Sequence, residues 1–431
     1  MMRILTIGLV LALSVFVALL TGCDWWWAQL PQDDSVARSN LERDLHPDVS
    51  ATDVADLVSG NSAFAFSLLQ EMVEPETNLF FSPYSISSAL AMMYAGARGE
   101  TETQIAEALS LTLEQQALHP SFNVLDLELN GRSSIPPPYE GEGFQLNVVN
   151  AVWGQRGHSF SDAYLDTLAV NYGAGLRLLD FIDDPDGSRT TINDWVSDQT
   201  EDRINDLLPP GSIGEDTRAV LTNAIYFNVP WLHPFDEDET YSGPFTPLSG
   251  APVSVSMMHQ REMLPYARVG DVQVVELPYN GGQLSMLLFV PDSGTFPASE
   301  DTLDLVRYKE IVGSTSLRQV DLRMPKFSFS YDVSLTEPLE ALGMEDAFLP
   351  NIADFSGIDG SRDLFISGVL HKAFVSVDEA GTEAAAATAV IVGATGIPGP
   401  PVMVTVDRPF LFVIRDIPTG SILFVGRVVT P

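Results

Sequence analysis

The sequence predicts a single α+β domain with large, mostly antiparallel sheets. Three observations predict it. Segments of helical period concentrate in the first half, strand-like segments crowd the second, and neither an internal repeat nor a Pro/Ser-rich hinge divides the core. The 431 residues suffice for one large domain or two ordinary ones, and a hydrophobic share of 45% supports a sizeable core. Acidic residues outnumber basic ones 58 to 22, a net charge of −36. That balance argues against binding nucleic acid or another polyanion, which needs a basic footprint. It suits a protein working in a salty or extracellular setting.

The N-terminus is a processing segment. Arg3 precedes an apolar run over 4–20, and Leu20-Thr21-Gly22-Cys23 looks like a bacterial lipobox. Cleavage would remove 1–22 and leave Cys23 to carry lipid; a transmembrane anchor is the alternative. The mature protein is then expected to be exported and lipid-anchored, facing the periplasm or the cell exterior. Trp25, Trp26 and Trp27 would lie at the membrane surface, or form a sticky linker. Cys23 is the only cysteine, so no disulfide is expected.

Residues 28–55 are polar, contain Pro31 and Pro47 and lack periodicity, which reads as a tether, with the domain beginning at about 54. From Asp56 the period becomes helical, with Phe64, Leu68 and Met72 on one face. A short strand over 78–82 then meets Pro83, a residue suited to the first helical turn. The helix after it is small and apolar on several faces and is expected to be buried. Thr101 with Gln104 reads as a capping box opening the next helix. Three prolines and several glycines over 130–143 mark a long surface loop. Residues 145–153 read as a strand, 161–172 and 189–200 as helices, and 218–228 as a buried strand. Strands are expected at 272–279, 284–291 and 319–331, a short helix at 334–342, and strands at 365–377, 402–406, 410–414 and 422–428.

The stretch 378–409, DEAGTEAAAATAVIVGATGIPGPPVMVTVDRP, is chemically unusual. At period two, Thr382, Ala384, Ala386, Thr388, Val390 and Val392 share one small, apolar face, and Glu383 is the one charge on the other. It could add to a sheet. On composition it is equally an alanine-rich helix or a small-residue linker. Elsewhere no hydrolase signature stands out: there is no HExxH pair, no GxSxG elbow and no glycine-rich phosphate loop. His233 and His259 have acidic neighbours, a pattern more typical of solvated loops.

Five segments in order then carry a resemblance. They are NLFFSPYSISSALAMMYAGARGETETQIAEAL, NAIYFNVPWLHPF, MPKFSFSYDVSLTEPLEALGMEDAF, VLHKAFVSVDEAGTEAAAATA and DRPFLFVIRDIPTGSILFVGRVV. Together they resemble the serpin family from about Val54 to Pro431. The resemblance implies three mostly antiparallel β-sheets with about eight to nine helices and an exposed reactive-centre loop over about 379–408. It implies no enzyme but an inhibitor of serine proteases. The protease attacks the loop, and the cleaved loop inserts into the main sheet before the acyl intermediate hydrolyses.

Residue by residue, the resemblance makes Glu379, Gly381, Thr382, Glu383, Ala384, Ala385, Ala386 and Ala387 the hinge of that loop. Its length puts the scissile bond at Thr395–Gly396, with Ala394–Thr395 and Gly396–Ile397 as alternatives. Ser82, Ser85, Asn223 and His371 match the polar cluster beneath the sheet where strands must part. Trp231 matches the tryptophan where the loop enters the sheet, and Lys326 with Glu379 is a candidate hinge ion pair. No Lys or Arg lies between Glu383 and Arg408, so elastase-like or subtilisin-like proteases are the expected partners, not trypsin-like ones. The helical region 109–129 lacks a basic stripe, so no heparin-type cofactor is expected; nor is any other cofactor, a metal or an oligomeric partner. The alternative is a non-inhibitory serpin acting as carrier, chaperone or substrate. Such a hinge would more often hold a charge or proline, and none occurs between Glu383 and Pro398.

Overall fold

The structure, a computed structural model, describes residues 35–132, 145–382 and 400–431. Helix α1 (Ala51–Met72) starts where the Ser50 side chain accepts from the Asp53 backbone N–H at 3.1 Å, and it buries Phe64, Leu68 and Leu69. Strand β2 (Leu79–Phe81) leads into α2 (Pro83–Tyr94), with Pro83 in the first turn and Ser82 as N-cap. All but one residue of α2 is buried, so this helix is held by packing on every side. Then come α3 (Gly99–Ala108), α4 (Gln115–Gly131), β3 (Gln145–Gln155), α5 (Asp162–Tyr172), β4 (Leu176–Leu179), α6 (Pro185–Gln199) and β5 (Ala219–Pro230). The second half is β-rich: β6 (Tyr241–Phe245), β7 (Val253–Val269), β8 (Val272–Pro278), β9 (Leu284–Pro291), β10 (Ser316–Pro325), β11 (Phe327–Ser334), β12 (Ile366–Val377), β13 (Gly381–Thr382), β14 (Val402–Thr405), β15 (Phe410–Asp416) and β16 (Ile422–Val428). Short helices α7 (Phe296–Asp301), α8 (Leu305–Gly313), α9 (Thr336–Ala341) and α10 (Ser356–Asp359) punctuate it.

The expected α+β class is what the structure has. One sheet has seven strands in the order β1-β4-β3-β5-β13-β12-β11, where β1 is Val36–Ala37, and β5 also pairs directly with β12. The other runs β14-β10-β7-β8-β9-β15-β16-β2, with β6 added on β7. In place of three sheets there are two hydrogen-bonded ones among the described residues. The reason is β7: it pairs with β6 near its start, with β10 over its middle and with β8 at its end, which fuses two sheets into one. Ten α-helices occur among the described residues, against the eight or nine expected.

Three local expectations need correction. The strand read over 319–331 is two strands in different sheets. β10 pairs with β7 and β14, the Lys326 N–H bonds the Ser256 carbonyl at 2.9 Å, and β11 then joins β12 in the other sheet. Strand-like composition continues on both sides, and Pro325 is the local mark of the change of sheet. The capping box at Thr101 and Gln104 does not form. Helix α3 already starts at Gly99, and both side chains reach across to a later segment. The Thr101 hydroxyl accepts from the Asp354 N–H at 2.9 Å, and Gln104 Oε1 accepts from the Glu345 and Asp346 N–H groups at 3.0 and 2.8 Å.

The stretch read as a tether belongs to the fold from residue 35. Strand β1 adds antiparallel to β4 at the edge of the seven-stranded sheet, and α1 begins at Ala51. Arg43 donates to Asn123 Oδ1 at 2.8 Å and Asp126 Oδ2 at 2.7 Å, and Asn123 Nδ2 donates to the Asp44 carbonyl at 2.7 Å. These contacts come from side chains more than seventy positions away, which the polar composition could not indicate. Of the loop read over 130–143, the first two residues end α4 and 133–143 lies outside the described residues. Arg43→Ala removes two charge-assisted hydrogen bonds, so the urea midpoint should fall by an amount equivalent to about 1–3 kcal/mol. An unchanged midpoint would mean that this segment is held by other contacts.

Candidate functional site

Strands β5 and β12 lie parallel and next to each other, with Ala219–Ile225 set against Ile366–Ala373. Their register places His371 opposite Asn223, and the antiparallel pairing of β3 with β5 places Asn150 opposite Asn223 on its other side. Three polar side chains therefore stand in one row across three strands, facing the start of α2. The Ser82 side chain caps α2 by accepting from the Ser85 N–H at 3.1 Å. The Ser82 N–H donates to His371 Nε2 at 3.4 Å, so that nitrogen is the unprotonated one. The proton is then on Nδ1, which donates to Asn223 Oδ1 at 2.5 Å. Asn223 Nδ2 donates to Ser85 Oγ at 2.5 Å and to Asn150 Oδ1 at 2.6 Å, while Ser85 Oγ donates to Asn150 Oδ1 at 3.0 Å. Asn150 Nδ2 donates to the Ser85 carbonyl at 3.1 Å and closes the network.

Ser82, Ser85, Asn223 and His371 are buried, and burial pushes the His371 imidazole down to about 3. The network is therefore neutral at physiological pH. It also links the two strands across the β5–β12 seam: His371 on one holds Asn223 on the other. Asn150 was not found from the sequence. Its signal was a polar residue between Val149 and Ala151, legible only once the register put it beside Asn223.

Above this row the two strands diverge, and β13 fits between them. It runs antiparallel to both, with Gly381 opposite Pro230, and Thr382 opposite Val229 on one side and Val377 on the other. A tight turn makes this possible. The Asp378 carboxylate accepts from the Ala380 and Gly381 N–H groups at 2.9 and 3.2 Å, and the Asp378 N–H donates to the Gly381 carbonyl at 3.0 Å. Burial raises the Asp378 carboxyl, and those two N–H groups oppose it without cancelling the rise.

The turn docks on Trp231, which is 1% exposed. Trp231 Nε1 donates to the Asp378 carbonyl at 3.0 Å, and its backbone N–H to the Ala380 carbonyl at 2.9 Å. Its ring stacks on Tyr279 with centroids 4.5 Å apart and planes 11° from parallel. The Tyr279 hydroxyl shares a 2.7 Å hydrogen bond with the Thr382 hydroxyl. Lys326, at the junction of the two sheets, pairs with Glu379, and the Thr240 hydroxyl donates to the other Glu379 oxygen at 2.6 Å. Burial alone would raise the Glu379 carboxyl, but the hydrogen bonds from Lys326 and Thr240 outweigh it and hold it below the usual range. Tyr279 and Thr240 were not found from the sequence, since neither has a distinctive neighbourhood in the chain.

The structure thus gathers the sequence-predicted residues into two groups. Ser82, Ser85, Asn223 and His371 form the lower one; Trp231, Lys326, Glu379, Gly381 and Thr382 form the upper one. Glu383, Ala384 to Ala387, Ala394, Thr395, Gly396, Ile397 and Cys23 lie outside the described residues. His259 stands between Glu239, at 2.7 Å, and Asp321, at 3.3 Å, and Arg261 and Arg323 also engage Asp321. That is an ion cluster on β7 and β10. Among the described residues, no group of three His, Cys, Asp or Glu side chains is placed to hold a metal ion.

Comparison with known proteins gives one answer. The family model described as "Serpin (serine protease inhibitor)" matches residues 59–431. Leukocyte elastase inhibitor A of Mus musculus is 37% identical over 386 residues, covering 87% of this chain and 99% of its own. An uncharacterized serpin-like protein of Methanosarcina acetivorans is 37% identical over 377 residues, covering 87% and 86%. Among solved structures, uncleaved ovalbumin matches with a TM-score of 0.77 and 27% identity over 87% of this chain and all of its own. The thermophilic serpin Tengpin in its native state matches with a TM-score of 0.79 and 28% identity over 92% and 98%.

The buried neutral histidines set a pH dependence. Burial lowers His371 to about 3 and His119 to about 4, whereas the unfolded chain takes up both protons near pH 6.5. Their contribution to stability is therefore complete above about pH 6.5 and is lost as pH falls toward those lower values, at up to about 1.4 kcal/mol per pH unit for each. Between about pH 6 and 5, His371→Gln should lower the slope of stability against pH by about 1 kcal/mol per pH unit in denaturant unfolding. Identical slopes would mean that His371 is not the neutral, buried member of this network.

Proposed function

Because this chain belongs to the serpin family, whose members are generally protease inhibitors, we propose that it is a suicide inhibitor of elastase-like or subtilisin-like serine proteases. One observation carries the proposal: β13 already lies antiparallel between β5 and β12, at the top of a seam closed by parallel strands. Two residues of an inserted strand are in register before any cleavage. Extending that register two residues at a time would set Ala384 against Phe227 and Val375, and Ala386 against Ile225 and Ala373. It would set Thr388 against Asn223 and His371. The entering face is thus alanine beside Phe227, Val375 and Ile225, and a hydroxyl beside Asn223 and His371. Burying these groups costs little compared with burying a charge.

In the proposed reaction, the protease serine oxygen attacks the Thr395 carbonyl. The Thr395–Gly396 bond breaks, the proton passes to the departing Gly396 amine, and an ester joins enzyme to inhibitor. The freed loop then adds as a strand, a recognition mode of which serpin loop insertion is a known case, and the attached enzyme is carried along before water releases the ester. The native fold must for this purpose be kinetically rather than thermodynamically favoured. The small and aliphatic residues around the bond suit shallow or apolar specificity pockets. The similarity to a protein named leukocyte elastase inhibitor agrees with that choice.

Incubation with pancreatic-type elastase and subtilisin should give a complex that survives boiling in detergent, with a cut at Thr395 or within a residue of it, while trypsin gives none. Thr382→Arg would place a charge where Thr382 is 1% exposed against Tyr279. It should leave cleavage intact and raise the ratio of cleaved inhibitor to complex at least about tenfold. Clean cleavage of the unaltered chain by both enzymes, without complex or gain in heat resistance, would instead favour a carrier or substrate-like serpin. The lipidation proposal for Cys23 is tested separately: Cys23→Ala should move the protein from the membrane to the soluble fraction, and retention in the membrane would remove the proposal.

A further inference from the structure

The ion cluster on β7 and β10 lies away from the seam, yet a short segment carries it to the hinge. Residues 235–240 hold Glu379 at two points. The Phe235 N–H donates to the Glu379 carbonyl at 2.9 Å, and the Thr240 hydroxyl donates to its carboxylate at 2.6 Å. Between those points lies a 3-10 turn, Glu237–Glu239, whose three side chains are all acidic. Among the described residues only one of these carboxylates has an ion-pair partner: Glu239 meets His259 Nδ1 at 2.7 Å. On its far side the imidazole meets Asp321, Nε2 to Oδ1 3.3 Å, and Asp321 also meets Arg261 at 2.7 Å and Arg323 at 3.1 Å. The charged groups around His259 are therefore Glu239 from the turn, Asp321 and Arg323 from β10, and Arg261 from β7 itself. Strand β6, which also pairs with β7, carries no charged residue.

The two carboxylates respond differently when the imidazole loses its proton. Asp321 keeps two guanidinium groups. Glu239 keeps no cation, and it then stands beside Asp238 and Glu237 with nothing to offset their repulsion. We propose that His259 is a positioning residue for the loop hinge: protonated, it fixes the acidic turn on β7 and so keeps Phe235 and Thr240 on Glu379. Histidine changes charge between pH 5 and 8, so the hold on the hinge weakens as pH rises through that interval. The side chains of His259 and Glu239 are 24% and 53% exposed, which keeps the effect to a few-fold. That this hinge serves inhibition rests on the proposed function; that His259 steadies it does not.

Hydrogen exchange of the full chain, read by mass spectrometry over the backbone amides of Ala380, Gly381 and Thr382, tests the proposal. Rates are divided at each pH by those of the same peptide unfolded. Protection in the unaltered chain should fall about two- to five-fold from pH 6 to pH 8. His259→Gln and Glu239→Gln should each give a flat profile at the lower level, whereas His259→Arg, which keeps a charge at every pH, should stay at the higher one. His233→Gln, altering the exposed histidine beside Trp231, should keep the unaltered profile. A flat profile in the unaltered chain, a fall retained in His259→Gln or Glu239→Gln, a fall abolished in His233→Gln, or low protection in His259→Arg would overturn the assignment. A retained fall would pass the titration to Asp378, whose carboxyl burial raises. No protease enters this measurement, so its failure and a failure of inhibition are separate results.

Discussion

The structure depends on one seam, the parallel contact of β5 with β12. Parallel pairs are few in this fold, and this one joins strands separated by well over a hundred positions. It is closed by backbone hydrogen bonds along Ala219–Ile225 and Ile366–Ala373, and by the His371–Asn223 bond across it. Above it, β13 separates the same two strands like the start of a wedge. The sheet is thus continuous at its middle and already parted at its top. Every residue assigned to the site either holds the seam closed or holds the wedge in place.

The two groups use different chemistry. At the seam the links are neutral: an imidazole with its proton on Nδ1, two amides and two hydroxyls, all buried or nearly so. Neutral amide and hydroxyl bonds contribute little net free energy each and can be exchanged for others of the same kind. An ion pair in the same position could not part without leaving a charge stranded in low dielectric. At the top, the links are an aromatic stack, several backbone bonds and the Lys326–Glu379 pair. That pair is partly open to water on the lysine side, so its loss is softened by solvent. The seam itself, made of neutral bonds, can therefore part without stranding a charge.

Helix α2 couples these strands to the other sheet. Its cap, Ser82, follows directly on β2, and β2 is the terminal strand of the nine-stranded sheet. The same few residues therefore end one sheet, begin the most buried helix and bond His371 in the other sheet. The Lys326 junction repeats the device at the upper end, where β10 of one sheet continues into β11 of the other. Movement of one sheet at either place is felt by the other through covalent continuity.

Much of this was legible in the residues themselves. The helical period from Phe64 to Met72, the Ser82-Pro83 helix start, the branched apolar run of β5 and the smallness of the 382–392 face are local properties, set by side-chain volume and spacing. So is the absence of Lys and Arg between Glu383 and Arg408. What tertiary structure alone decided is what depends on register between distant strands. Asn150 matters because β3 pairs with β5 in one alignment, Tyr279 because its ring lies on Trp231, and Thr240 because it reaches Glu379. Thr101 and Gln104 had the spacing of a local cap, yet distant backbone N–H groups took their oxygens instead. A sequence records what each residue can bond to; which partner arrives first in space is settled by the packing of the whole chain.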